Sequence, residues 1–561
     1  MRKLLQGIDF QIGEVMKRKS LTIAVAAIAI ALSGAAAAQN IGPSTTTEPY
    51  VLPTRPDVAT TSILTTGDNI GGYRMVGIPD GAGAWIENRR TFNFVVNHEL
   101  GQTAGVTRAH GSKGAFVSRW EIERDTLKVL NGRDHLTFPN DVYTWGGSGY
   151  RRGTTAFERL CSGDLPRQSA FSRGSIGTSH RIFLSGEETS PPFTGDHGRV
   201  FAHVLTGPDK NQSWELPRLG KMAFENAMAS PYRQEKTIVM LNDDASRETK
   251  VFNNICSAAN QLNCNEPPSE LYVYIGTKQR HGNDIERAGL TNGNFYGVRV
   301  VANGSIVTGE DKDFVLGSVA PVTSGRFELH NFGDVSGMTG VQIQNAAIAN
   351  HITQFIRVED GAWDPRRSKK NDYYFVTTGR IRTDLATWRP SRLWRLRFDD
   401  IEYPGQGGTV EMLLSSTFNA DNVNDPGFQM FDNMTIDRRG RIVLQEDVGG
   451  NDRLGRIYVY GIDSGKLELV AQHNPKFFKP GESGFITNDE ESSGVIDASR
   501  ILGDGWFLIT VQNHAPSPLD PELAEGGQFV ALYIDPRIAG APKRDHDHDD
   551  DNDDDHGHDR R

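Results

Sequence analysis

The chain repeats one shape six times: a short apolar run that ends in polar or acidic residues, as in RIFLSGEE (181–188). The others are FNFVVNHE (92–99), TIVMLNDD (237–244), YYFVTTGR (373–380), RIVLQED (441–447) and WFLITVQNH (506–514). Each is followed by a second β-rich run: FVSRWEIE, GRVFAHVL, ELYVYIGT, RLWRLRFD, GRIYVYGI and FVALYIDP. Short runs of β-branched and aromatic residues, punctuated by Gly, Pro, Asn and Asp, read as strands rather than helices. Ahead of each apolar run lies a third element with a candidate ligand: IPDGAGAW (78–85), LCSGDL (160–165), FENAMA (224–229), RVEDGAW (357–363), FDNMTID (431–437) and ESSGVID (491–497). Recurrence at blade-sized intervals predicts an all-β chain folded as a β-propeller with loop insertions, in which four-stranded sheets surround a central channel. Six blades is the preferred count. Seven is the alternative, because the long interval between Asp244 and Thr378 has room for another blade or an inserted lid.

The ends of the chain read differently. MKRKS (16–20) followed by LTIAVAAIAIAL (21–32) and a small-residue site before Gln39 has the layout of an export signal, and its apolar stretch is too short to span a bilayer. The expected organisation is therefore a signal peptide over 1–38, an N-terminal extension over 39–69, a catalytic propeller over 70–540 and a disordered Asp/His-rich tail over 541–561. Such a protein works in the periplasm or outside the cell. The segment 545–561 holds nine Asp and two Arg, so it carries −7 of the net −11 and leaves about −4 for the rest. No basic stripe with aromatic partners is present, which argues against a nucleic-acid binder. Of the three cysteines, Cys256 and Cys264 bracket a short polar loop that a disulfide would close. Cys161 is then unpaired, either a quiet buried thiol or a thiolate metal ligand.

In a propeller, acids scattered along the chain converge on one axis. The candidates are Glu99, Glu187, Glu188, Glu225, Asp243, Asp244, Glu359, Asp432, Glu446, Asp447 and Glu491. Packed carboxylates repel unless cations neutralise them or some stay protonated. Hard oxygen ligands in that number suit Ca²⁺, and Cys161 would favour a transition metal such as iron nearby. In RVEDGAWDP, Arg357 and Glu359 lie two apart and share a face of an extended chain, so a guanidinium there can grip an oxyanion while the carboxylate holds a cation. Any one of these motifs, LNDDAS for instance, also reads as an ordinary β-turn, and only their recurrence argues for a constellation. Glu187 and Glu188 pose a local problem. Neighbours in a strand point to opposite sides, so both reach one cluster only if the strand breaks at Gly186.

The motifs NHEL, Cys161 with GEET, GKMAFENA with LNDDAS, IRVEDGAWDP, FDNMTID with LQEDVGG, and ESSGV, in that order, resemble the PhoX family of bacterial alkaline phosphatases. The similarity runs from about residue 70 to 536 and is carried by the order of short motifs. The resemblance implies a six-bladed propeller, export, and a funnel cluster of Ca²⁺ and Fe³⁺ that hydrolyses phosphomonoesters at alkaline pH. It makes Cys161 and Glu225 iron ligands, and Glu187, Glu188, Glu359, Asp432, Glu446, Asp447 and Glu491 metal ligands; Asp243 and Asp244 stand as further metal candidates from their own motif. Arg357 becomes the phosphate-gripping arginine, with Glu359 the second catalytic residue and Asn433 a substrate contact. The chain departs from the family at KRK, where a twin arginine is usual, at Phe224-Glu225, where His-Glu is common, and at Val358, where Pro is common. There is no G-x-S-x-G elbow to supply a serine nucleophile. The expected partner is a small phosphate ester, with no nucleic acid and no stable membrane span, and the protein is expected to be a monomer. Two other readings are a calcium-dependent propeller lactonase or esterase, which needs no phosphate arginine, and a non-catalytic surface binding module.

Overall fold

Each apolar run is the second strand of an antiparallel meander. The structure, a computed structural model, describes residues 38–190, 195–244, 269–307, 323–381, 383–385, 388–517 and 520–540. The export signal, the Cys256–Cys264 pair and the acidic tail lie outside the described residues. The apolar runs occupy Thr91–His98, Ile182–Glu187, Lys236–Asp243, Asp372–Thr377, Arg441–Glu446 and Trp506–Asn513. On one side each pairs with an inner strand: Pro79–Ile86, Leu160–Asp164, Phe224–Ala229, Val358–Trp363, Phe431–Ile436 and Glu490–Asp497 respectively. On the other side each pairs with the β-rich run that follows it. The inner strands touch one another in chain order, and the last touches the first, so the ring closes.

Flanking sheets explain why the second strands are apolar on both faces. Phe92, Phe94 and Val96 pack into one buried cluster with Phe529 and Ala531, whereas Val95, from the other face of the same strand, packs with Phe183 and Phe201. The same arrangement recurs around the ring, one apolar cluster between each neighbouring pair of meanders. Full burial of a side chain such as Phe92 contributes about 2–3 kcal/mol relative to exposure.

The stretch expected as an N-terminal extension belongs to the ring. Val58–Thr65 pairs with Gly526–Ile534 and supplies the fourth strand of the last meander, and Val51–Pro53 adds an edge to Leu467–His473 in the meander before it. Chain ends meeting in one sheet close the circle without a free seam. The long interval before Thr378 holds, among its described residues, the end of the third meander, the helix Gly340–Ala349 and the strand Ser324–Gly333. That strand pairs with Asn294–Ala302 on one side and Gly408–Ser415 on the other, so it fuses the outer edges of two adjacent meanders into one continuous sheet. Neither an extra meander nor a lid is found there among the described residues.

Candidate metal centre

The second position of each inner strand carries a residue able to hold a metal, and behind this layer the third-position residues Ser162 and Asn433 meet across the ring at 3.0 Å. The axial residues of the second position are Asp80, Cys161, Glu225, Glu359, Asp432 and Glu491 in turn. In the first five strands the ladder to the second strand slips within a few residues of this position, between Pro79 and Ala82, Leu160 and Gly163, Phe224 and Asn226, Val358 and Gly361, and Phe431 and Met434. A bulge of this kind bends the strand and re-aims a side chain. Backbone strain recurs with it. Ile78, Arg159, Arg357 and Met430, each two residues ahead of an axial residue, have φ of 39°, 41°, 59° and 41°. A left-handed β-branched residue such as Ile78 is a true outlier, and strain of this type concentrates at functional sites.

A second set of residues follows the second strands directly: Glu99, Glu188, Asp244, Thr378, Asp447 and His514. The N–H of each donates to the carbonyl of the residue two before the axial one, that is to Ile78, Arg159, Ala223, Arg357, Met430 and Asp489, at 2.8–3.1 Å. This repeated bond holds the two sets against each other and decides the acid pairs. In each pair the second member is brought to the axis and the first is turned away. Glu187 accepts from Arg199 Nε at 2.7 Å and Nη2 at 2.8 Å, and from the Glu158 N–H at 3.1 Å. Glu446 accepts from Arg453 Nη2 at 2.9 Å and the Gln429 N–H at 2.7 Å. Asp243 accepts from the Ala223 N–H at 3.2 Å. These three hold the walls: Asp243 and Glu446, expected as metal ligands, are turned to backbone N–H groups and Arg453, and of Glu187 and Glu188, left open by the sequence, Glu188 is the one beside Cys161 and Glu225. Nor does the strand break at Gly186. It runs through, pairing Gly186 with Val200, and the absent side chain admits the neighbouring inner strand: a Cβ there would stand 2.3 Å from Phe224 Cβ.

Three groups of side chains converge closely enough to hold a cation: Asp80, Glu99 and Cys161; Cys161, Glu188 and Glu225; and Glu225, Glu359 and Asp432. Cys161 and Glu225 each belong to two groups, so the three form one connected arc. The Cys161 thiol lies 3.0 Å from Glu225 Oε2 and 3.3 Å from Asp80 Oδ2. Gln512 Nε2 donates to Asp80 Oδ2 at 2.9 Å and Glu99 Oε2 at 3.0 Å. Arg159 lies 2.6 Å from Glu99 Oε1 and also pairs with Glu188. Arg357 grips Asp244 through both Nε (3.0 Å) and Nη2 (2.8 Å). Its Nη2 is also 2.8 Å from Glu359 Oε1, but without an aligned hydrogen bond. Asn433 is fully buried. It donates to Asp432 Oδ1 at 2.6 Å and accepts from the Gly494 N–H at 3.0 Å, so it braces Asp432 instead of presenting its amide to a substrate. Glu491 is held by the Ser493 hydroxyl, with His514 Nε2 at 3.9 Å and Glu525 behind His514 at 2.8 Å.

The buried carboxylates outnumber the two guanidinium groups, of Arg159 and Arg357, that lie among them. Burial, and then neighbouring carboxylates, push Asp80, Glu225 and Asp432 well above the ordinary carboxylate range. Glu359 is raised by burial despite Arg357. Asp447 is pushed up to about 7 by burial and by Glu491. The Cys161 thiol is raised by burial and by Asp80 and Glu225. Burial works against the charge on Arg357, but Asp244 and Glu359 outweigh it and hold the guanidinium firmly protonated. Asp80 Oδ1 and Glu359 Oε1 are buried without a hydrogen-bond partner. Orphaned acceptors and crowded buried carboxylates are what bound cations would satisfy, and the donor set, oxygen-rich with one thiol, fits a hard cation beside a thiophilic one. Asp80, Arg159 and His514 belong to this centre but were not among the candidate residues expected from sequence, whereas Glu99 was. Asp80 was legible: it stands in IPDGAGAW where Glu225 stands in FENAMA.

No protein-family model matches the chain, and no curated protein matches it. Among solved structures, Pseudomonas fluorescens PhoX in complex with vanadate, a transition state analogue, is similar with a TM-score of 0.56 at 11% identity, over 87% of this chain and 97% of that one. At that identity the likeness shows the fold, a PhoX-like β-propeller. Glucose dehydrogenase structures also match, at TM-scores of 0.33 and 10% and 9% identity, covering 84% of this chain and 98% of theirs, a structural similarity too low to carry an argument.

Proposed function

We propose that this protein is an exported, six-bladed, metal-dependent phosphatase that hydrolyses phosphomonoesters at the axis of the propeller. The observation that carries the reading is the register itself: five carboxylates and one thiol at equivalent positions of the inner strands, with Arg357 beside them. The likeness to a PhoX structure that holds vanadate supports it. The blade count rests on the recurring N–H bond, made once per meander. Asp80, Glu99, Cys161, Glu188, Glu225, Glu359 and Asp432 would hold the cations, with Cys161 and Glu225 on the iron and the remaining oxygens suited to Ca²⁺. Bound cations would neutralise phosphate oxygens and make a water available as a nucleophile near neutral pH. Arg357, held in place by Asp244, would orient the phosphate by charge-assisted hydrogen bonds. The ester P–O bond breaks, the water oxygen joins phosphorus, and the alcohol leaves with a proton. Among the described residues no helix is long and apolar enough to cross a membrane.

The test combines elemental analysis with p-nitrophenyl phosphate hydrolysis. Iron and calcium should copurify, and Arg357→Ala and Glu359→Ala should each lower kcat/KM at least a thousandfold with the circular dichroism spectrum unchanged. Full activity in both variants would sink the assignment. Calcium without iron, with lactone rather than phosphate-ester hydrolysis, would select the lactonase reading.

A further inference from the structure

A cleft of about 540 Å³ opens beside the axial cluster, between the chain after Glu99 and the chain after His514. Glu99, Arg159 and His514 belong to both the cluster and the cleft wall. The cleft is in the size range of sites for small organic ligands, and other clefts of 180 and 520 Å³ lie among residues of the outer strands. Its near wall is apolar, built from Ile78, Leu100, Ala104 and Ala524, which pack as a small core of their own. On the rim stands Lys113, exposed and with no carboxylate in ion-pair distance among the described residues. The acids within the cleft have partners: Glu99 is paired with Arg159, and Glu525 with His514. Lys113 is therefore the charge in the cleft left for a ligand.

Resting on the phosphatase reading above, we propose that this cleft receives the alcohol portion of the ester and that Lys113 selects alcohols bearing a second anionic group, a carboxylate or a second phosphate. The phosphate to be cleaved lies at the axis. The carbon chain runs over Leu100 and Ala104, and the distal anion reaches the Lys113 ammonium. A lysine is suited to this as a compact charge on a long stem, tolerant of either anion.

The experiment compares 3-phosphoglycerate, which carries a carboxylate, with p-nitrophenyl phosphate, which carries none, on the metal-loaded full-length protein. The ratio of their kcat/KM values should fall about tenfold in Lys113→Glu and return towards the starting value in Lys113→Arg. Metal content and inhibition by inorganic phosphate, measured alongside, report on the axial site separately. Calorimetric binding of 3-phosphoglycerate to the same proteins distinguishes the two failures. If the native protein hydrolyses neither ester yet binds 3-phosphoglycerate more tightly than Lys113→Glu does, the cleft assignment stands and the phosphatase reading fails. If neither the ratio nor the binding changes in Lys113→Glu, the cleft assignment is overturned.

Discussion

Glu187 and Glu188 are adjacent, chemically identical and assigned opposite tasks, so exchanging each for Gln separates them. Glu187 accepts two hydrogen bonds from the Arg199 guanidinium and further ones from the N–H groups of Glu158 and Arg199, with 3% of its side chain and 23% of the Arg199 side chain exposed. Removing one partner of a largely buried ion pair leaves the other uncompensated and costs about 3 kcal/mol. Against an unfolding entropy of about 1 kcal/mol/K for a chain of this size, that is a fall in Tm of about 3 °C. Glu187→Gln should therefore melt lower and keep its metals. Glu188 sits within ligand distance of Cys161 and Glu225. Glu188→Gln removes one carboxylate from a crowded cluster and leaves Arg159 still paired with Glu99, so the metal-free protein should melt no lower than the parent, while bound metal falls by at least one equivalent. The assay is elemental analysis and scanning calorimetry on both variants, with and without chelator. Equal metal loss in both, or loss only in Glu187→Gln, would refute the assignment of the second member of each pair to the axis.

Acidity should act through the same cluster. The raised carboxylates hold their protons in the folded, metal-free protein up to their folded values, about 7 for Asp447, whereas the unfolded chain releases them at the ordinary carboxylate range, so stability in chelator should fall as pH rises from about 5 to about 7 and further where the more strongly raised acids remain protonated. Metal binding needs the ionised forms, so the Tm gap between loaded and chelated protein should widen over that range; a constant gap would contradict it. On the proposed iron and calcium assignment, Cys161→Ser should abolish any thiolate-to-iron absorption band and lower the iron content while much of the calcium stays; an unchanged visible spectrum and iron content would remove the thiol from the site. Gly494 has φ of 52°, and a Cβ there would stand 2.3 Å from the Asp80 carbonyl oxygen. Gly494→Ala should therefore cost about 2–4 kcal/mol and loosen the meeting of the last and first inner strands, and a Tm within experimental error of the parent would refute this close-packing account.

The sequence by itself determined the strands. Each quoted apolar run and each β-rich run after it forms a strand, because continuous apolar residues between turn signals can only be buried from both sides, and a ring of sheets provides that burial. It also placed a ligand type in every inner strand, including Asp80, which the shared register of IPD, RLC, AFE, RVE, MFD and DEE marks in retrospect. What the tertiary structure decided was direction. Whether Glu187 or Glu188 faces the axis depends on where a strand ends relative to its neighbour, and that is set by a hydrogen bond to a carbonyl about thirty residues away in the chain. Arg159 reaches Glu99, in another meander, from its own left-handed backbone beside a bulge in the following strand. Val58–Thr65 reads as part of an N-terminal extension in one dimension and becomes the closing strand in three, because its partner Gly526–Ile534 lies far along the sequence. Local pattern fixes which residues are strand and which are acid; non-local pairing fixes the side to which each one points.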